Sequence, residues 1–133
     1  MFPELKYNPI RHKTALIVDD EYSILTLWRD LLMMHDCIAI TRNCVKGAIN
    51  YLLRHDVDFI ISDYEMPEMN GFELIQWVRK DYDLFIPIIL CTGSGFEELP
   101  PINDPFIKYI QKPFNIDDLI KSLSSIESIL SVS

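Results

Sequence analysis

Four short apolar runs in this chain each stop on a residue that can do chemistry. Ala15-Leu16-Ile17-Val18 stops on Asp19-Asp20-Glu21, and Phe59-Ile60-Ile61-Ser62 stops on Asp63. The run Phe85 to Cys91 stops on Thr92, and the run Phe106 to Gln111 stops on Lys112. Three carboxylates brought to one point repel one another. They need a cation, or some of them must take up protons. Magnesium suits an acidic cluster free of histidine and cysteine: it is a hard ion that takes oxygen ligands and bridges to phosphate. A hydroxyl at Thr92 and an ammonium at Lys112 would be odd company for a purely structural metal. They make sense if an anion arrives, because lysine supplies a point charge for phosphate oxygens. A carboxylate can itself accept a phosphoryl group. Such a transfer asks mainly for positioning and charge neutralisation. One aspartate would accept, the others would hold the metal, and Thr92 and Lys112 would cradle the product. The plain alternatives are a solvated loop acid at Asp63 and a strand-end hydroxyl at Thr92.

This chemistry requires elements that bring the four run ends together. Ala15–Val18 reads as a first strand. Ile24, Leu27, Trp28, Leu31 and Leu32 follow helix spacing. Cys37 to Thr41 is a second short strand, closed by a turn at Arg42-Asn43. Val45, Ala48, Ile49, Leu52 and Leu53 mark the next helix face. Phe59–Ser62, apolar and rich in β-branched residues, suits a strand buried on both faces. Met66-Pro67 and Asn70-Gly71 are loop signals, and the stretch Phe72 to Tyr82 is an amphipathic helix with Leu74, Ile75, Val78 and Tyr82 on one face. In the strand Phe85–Cys91, Pro87 must sit near the start, since proline cannot donate within a ladder. Pro100, Pro101 and Pro105 restrict Phe96–Leu99 to a turn or so of helix. Phe106–Gln111 is the fifth strand. Asn115 caps a last helix whose stripe is Ile116, Leu119, Ile120, Leu123, Ile126 and Leu130. Trp28 and Trp77 read as core or half-buried helix residues, and Met33-Met34 as helix packing.

Alternating strands and helices predict an α/β fold with a parallel sheet and helices on both faces. Five strands fit the flavodoxin-like doubly wound (βα)5 order 2-1-3-4-5, with a shortened fourth helix. In that order strand 1 lies beside strand 3, so Asp19, Asp20 and Asp63 converge at the switch point. Thr92 and Lys112 end strands 4 and 5 on the same edge.

The totals agree with one folded domain. The chain has 133 residues, 49% of them hydrophobic, and a mean hydropathy of +0.11, enough for a core without staples. The net charge of −8 argues against direct nucleic-acid binding, which wants Lys and Arg. Cys37, Cys44 and Cys91 show no CxxC spacing, and Cys91 sits in an apolar run as a small buried hydrophobe. With no signal peptide, this reads as a reducing, cytoplasmic setting. His12, His35 and His55 lack metal-ligand spacing. The longest uncharged run, Leu84 to Phe96, contains Pro87 and is too short for membrane insertion.

The runs Leu16-Ile17-Val18-Asp19-Asp20-Glu21, Ile61 to Gly71, Leu90-Cys91-Thr92-Gly93 and Lys112-Pro113-Phe114 resemble, in order, the receiver domains of two-component response regulators, chemotaxis regulators among them. The resemblance runs from about Thr14 to about Leu130. It implies a receiver domain over 14–133, with 1–13 as a leader or linker. It implies that Asp63 accepts a phosphoryl group from a histidine kinase or histidine phosphotransfer protein. Asp19, Asp20, Asp63 and the backbone carbonyl of Glu65 would hold Mg2+. Thr92 would hydrogen-bond the phosphoryl group and Lys112 would pair with it. Tyr109 matches the family's switch aromatic, with packing as its alternative. Glu65 and Ser94 match positions that tune phosphoryl lifetime, with a solvated loop as theirs. The bond Lys112-Pro113 is often cis in the family. A conformational switch read by a downstream protein target would follow, in a stand-alone regulator or a piece of a larger one. The shortened segment between Thr92 and Lys112 puts the family's usual output face in doubt.

Other readings have sequence features against them. A dehalogenase-type phosphatase places its first-strand acids as DxD, whereas Asp19 and Asp20 are adjacent. A flavin binder needs a Ser/Thr/Gly-rich loop where Asp19-Asp20-Glu21 stands. A receiver-fold docking module would have no use for the intact acids, threonine and lysine.

Overall fold

In the computed structural model the described residues are 11–93, 99–101, 103–112 and 116–131. The elements are β1 (Thr14–Val18), α1 (Tyr22–Met34), β2 (Ile38–Arg42), α2 (Val45–Leu52), β3 (Phe59–Asp63), α3 (Gly71–Gln76), a π-helical turn continuing α3 (Trp77–Asp81), β4 (Ile88–Thr92), β5 (Ile107–Gln111) and α4 (Ile116–Ser131). The strands form one sheet of order β2-β1-β3-β4-β5, and every neighbouring pair is parallel. This is the expected doubly wound arrangement.

The period-2 alternation of strand side chains divides the core into two layers. Ala15, Ile17, Phe59, Ile61, Ile89, Cys91 and Ile110 face one side, where Leu25, Trp28, Leu31 and Leu32 of α1 and Ile126 of α4 cover them. Leu16, Val18, Ile60, Ile88, Leu90 and Ile107 face the other, under Val45, Ala48 and Leu52 of α2 and Leu74, Ile75 and Val78 of the third helical segment. All five residues of β3 and of β4 are buried. These strands are covered on both faces, which is why their sequences are near-continuous apolar runs.

Several boundaries differ from the sequence expectation. Arg42 does not begin a turn: it is the last residue of β2, opposite Val18, and its carbonyl accepts from Asp19 N–H at 3.1 Å. Cys44 caps α2, its sulfur accepting from Gly47 N–H. β4 starts at Ile88 instead of Phe85. The cause is Arg79, whose Nη1 and Nη2 donate to the carbonyls of Leu84 and Ile86 at 2.8 and 2.7 Å while Nε pairs with Asp104 at 2.8 Å. Those carbonyls are therefore engaged by a side chain instead of a ladder, and Phe85 is left largely exposed.

The third helix widens into a π turn where Tyr82 N–H reaches back to Trp77 O at 2.9 Å. Tyr82 is held there by stacking on Trp77 and by donating its hydroxyl to Leu52 O. Met33 and Met34 are not packed: they are 61% and 76% exposed. The buried stripe of α1 runs through residues 25, 28, 31 and 32, and the two methionines fall off it at the helix end. The expected short helix at Phe96–Leu99 lies mostly outside the described residues, as do the Asn115 cap, Pro113, Ser94 and the leader up to residue 10.

One contact ties the β3 end to α3. Asn70 and Glu73 form a reciprocal capping box, and Gly71 N–H donates to Tyr64 O at 2.9 Å. The backbone oxygen of Asp63 lies against the Gly71 Cα. A Cβ there would collide with that oxygen and come within 2.6 Å of Leu90 Cδ1. Gly71 is thus required by space. The expected outcome for Gly71→Ala is destabilisation of ~1–3 kcal/mol, read as a lower denaturant midpoint.

Candidate functional site

The sheet order places the ends of β1 and β3 side by side, with Val18 paired to Ser62. Asp19 and Asp63, each next in line, are buried at 2% and 3% exposure. Asp20 is exposed. One carboxylate oxygen from each of Asp19, Asp20 and Asp63 lies within 4.8 Å of the others. The three acids predicted to converge do so.

Asp19 is anchored twice. Its N–H donates to Arg42 O, and its Oδ1 accepts from Glu21 N–H at 2.9 Å. Asp63 is fixed by its strand, opposite Cys91, and by the Gly71 contact beneath its carbonyl. Lys112 follows β5, and its N–H donates to Thr92 O, which ties the two strand ends together. Its ammonium reaches across the edge to Asp63 Oδ1 at 3.1 Å, Asp19 Oδ2 at 3.3 Å and Glu21 Oε1 at 3.8 Å. The Asp63 contact is an ion pair by distance, yet no donor is aligned for a hydrogen bond on the buried Oδ1.

Thr92 is fully buried. Its hydroxyl donates to Glu65 Oε1 at 2.9 Å, and Gly93 N–H donates to the same oxygen at 2.8 Å. The family resemblance assigns Glu65 a backbone-ligand role and a lifetime-tuning position, with a solvated loop residue as the alternative; the sequence does not reveal this contact of its carboxylate with the β4 end. Two donors at the β4 end are engaged by an anion supplied by the β3–α3 loop. Glu21 was likewise read only as part of the acidic run, and its reach to Lys112 was not visible. Tyr109 sits opposite Leu90 on β5, packs against the α2–α3 layer, and donates its hydroxyl to Pro100 O at 3.3 Å.

The electrostatics follow from burial and crowding. Burial, then the Asp19 charge, push the Asp63 carboxyl up to about 7, against the opposing pull of Lys112. Burial also raises Asp19, outweighing the Glu21 N–H and Lys112. Burial disfavours the Lys112 ammonium, but Asp63 and Asp19 outweigh it and its pKa lies above the ordinary value. Glu65 is lowered: hydrogen bonds from Thr92 and Gly93 overcome the cost of its burial.

Three carboxylates against one ammonium leave an excess of negative charge. An oxygen-only donor set with a buried carboxylate oxygen lacking an aligned donor fits a hard divalent cation. Residues Asp19, Asp20 and Asp63 could hold it.

Residues 15–124 match the family model described as the response regulator receiver domain. The chain is 34% identical over 116 residues to the two-component response regulator ORR13 of Oryza sativa, covering 84% of this chain and 96% of that protein. It is 33% identical over 116 residues to the heme response regulator HssR of Staphylococcus haemolyticus, covering 84% of this chain and 50% of the relative, so it spans about half the length of that protein. The high-resolution structure of the chemotaxis response regulator CheY4 of Vibrio cholerae superposes with a TM-score of 0.75 at 29% identity, over 86% of this chain and 98% of the other.

The raised Asp63 has a consequence for stability. The folded chain holds a proton on Asp63 more tightly than the unfolded chain does, so stability falls as pH rises from 3.8 to about 7. Removing the charge with Asp63→Asn should raise stability at pH 7.5 by roughly 2–4 kcal/mol. The gain should fade as the pH is lowered to about 4, below the window. Denaturant unfolding of both proteins across this range checks it; a pH-independent difference would contradict the electrostatic origin.

Proposed function

The chain belongs to the response regulator receiver domain family, and on that premise we propose that it is a phospho-accepting signalling switch whose acceptor is Asp63. The observation that carries the acceptor assignment is the position of that carboxylate. It ends β3 at the switch point of the sheet, beside the acids of β1, with Lys112 Nζ at 3.1 Å. In open α/β sheets ligands sit at this point, beyond the carboxyl ends of the strands.

The donor would be a phosphohistidine on a histidine kinase or phosphotransfer protein. An Asp63 oxygen forms a bond to phosphorus while the phosphorus–nitrogen bond of the donor breaks. The electron pair leaves with the imidazole, which takes a proton from solvent. Asp63 must be ionised to attack. Lys112 favours that state and is placed to follow the negative charge onto the phosphoryl oxygens. Asp19, Asp20, Asp63 and the backbone carbonyl of Glu65 would hold Mg2+. When bound, the ion would neutralise the carboxylates and the phosphoryl oxygens. Thr92 would exchange its Glu65 contact for a phosphoryl oxygen, and Tyr109 would move with it. An acyl phosphate adds charge comparable to a phosphorylated hydroxyl, roughly −1.5 to −2. That addition would bias the two-state equilibrium read by a downstream protein.

The chain's own chemistry would be confined to gaining and losing this phosphoryl group, with no turnover of other substrates. The family match does not favour the phosphatase or the docking-module reading. We also place the chain in the cytoplasm and assign it no direct nucleic-acid contact, in keeping with a net charge of −8. Among the described residues no helix is long and apolar enough to cross a membrane.

The test is intact mass after incubation with a small-molecule phosphodonor, with Mg2+ or with chelator, beside Asp63→Ala. One phosphoryl adduct is expected in the presence of Mg2+, with none in chelator and none in the variant. An adduct that persists in Asp63→Ala would remove Asp63 as the acceptor. No adduct with several donors, Mg2+ binding having been confirmed, would remove the phospho-accepting reading for small donors and point to docking or to one obligatory kinase.

A further inference from the structure

A second cluster of charge runs along α2 from Arg42, whose carbonyl meets the Asp19 amide while its side chain lies toward α2. Arg42, Gly47, Asn50, Tyr51, Arg54 and His55 line a cleft of about 290 Å3. Arg42 lies along α2 with its side-chain methylenes close to Gly47. Its guanidinium sits over the Tyr51 ring, 4.9 Å from the centroid. The same ring stacks on His55, with centroids 4.5 Å apart. Arg54 follows α2 and opens onto the same cleft.

Among the described residues neither arginine has a carboxylate within ion-pair reach. Among the described residues Arg29, Lys46, Arg79 and Lys112 form ion pairs, and Arg42 and Arg54 do not. Arg42 spends one N–H on Thr41 O at 2.6 Å and keeps the rest of its fork. The Tyr51 contact restrains that fork, which lowers the entropy lost on binding.

We propose that this cleft binds the phosphoryl group of a small phosphorylated molecule. Two arginines lining one small concavity suit bidentate recognition of phosphate oxygens. The Tyr51 ring already carries contacts from Arg42 and His55, which compete with stacking of a base. That favours a compact head group over a nucleotide. The volume lies just below the usual range for drug-sized ligands, ~300–1,000 Å3. A long polyanion would meet repulsion from the rest of a chain whose net charge is −8. The site is separate from the phosphoryl group proposed for Asp63 and does not depend on that reading.

The experiment is an amide-resolved NMR titration of the full chain at constant ionic strength and without Mg2+. One arm uses inorganic phosphate and the other glycerol 3-phosphate. Saturable shifts are expected at Gly47, Asn50, Tyr51, Arg54 and His55. Saturation by both probes assigns recognition to the phosphate ion itself; saturation by glycerol 3-phosphate alone assigns it to an organic carrier. Arg54→Gln, an exposed position, should weaken binding about tenfold or more, and Arg42→Gln should do the same. Unchanged β3 amides in Arg54→Gln certify its fold. Shifts that never saturate, shifts confined to Asp63 and Lys112, or equal affinity in Arg54→Gln would overturn the proposal. So would a short single-stranded DNA that bound these amides more tightly than either phosphate.

Discussion

The arrangement depends on one ammonium group placed among acids. Parallel order 2-1-3-4-5 forces the ends of β1 and β3 together, and both ends are carboxylates. Burying Asp19 and Asp63 side by side is unfavourable by desolvation and by mutual repulsion. Lys112 offsets part of that from the far side, at 3.1 and 3.3 Å. It does not offset all of it, since both acids still have raised proton affinity. The remaining charge deficit makes the edge receptive to a second cation.

The scaffold gives this charge cluster little room to relax. β3 is buried along its whole length, so Asp63 cannot withdraw without moving the central strand. Below it, the first turn of α3 sits against its carbonyl through Gly71. Lys112 is set by the backbone bond from its own N–H to Thr92 O. Further down the sheet, the Arg79 clamp joins the loop before β4 to the loop before β5 through Asp104. The paired positions of β4 and β5 are therefore held at both ends. Position in such a site comes from rigid elements, and cluster chemistry needs that position more than it needs any one residue's intrinsic reactivity.

Strand order and the convergence of Asp19, Asp20 and Asp63 could be read from the chain because each rests on a strong local signal. Apolar runs of five residues bounded by loop residues have few alternatives, and right-handed crossovers prune the topologies. What could not be read was decided by side chains reaching across elements. Arg79 shortened β4 by capturing two carbonyls, and nothing in the run Phe85-Ile86-Pro87 announces that. Arg42-Asn43 looks like a turn by composition, yet Arg42 pairs with Val18 because the Asp19 amide needs its carbonyl. Met33 and Met34 are apolar by type and exposed by phase, which a hydropathy count does not distinguish. Glu65 shows the same limit at the site itself. Its place two residues after Asp63 was visible, but the reach of its carboxylate to β4 was not.

That reach changes how the switch should be understood. Among the described residues at the β4 end, Thr92 Oγ1 and Gly93 N–H are placed to receive an anion, and both are already bound to Glu65 Oε1. A phosphoryl group on Asp63 would therefore not meet idle donors. It would have to displace a carboxylate whose proton affinity those bonds have lowered. The driving force for the proposed movement of Thr92 would then be a difference: its bond to a phosphoryl oxygen, less its bond to Glu65, less the cost of exposing or re-pairing Glu65. A ligand shifts a two-state equilibrium only by its differential affinity for the two states. On the proposed reading, Glu65, by filling the Thr92 site with an internal anion, would hold the unphosphorylated state in place and reduce the bias that the phosphoryl group could impose. The same carboxylate would repel the incoming phosphoryl charge unless Lys112 and a bound cation screened it. In the proposed switch, acid and hydroxyl would thus set the resting position, and lysine and metal would set the strength of the pull against it.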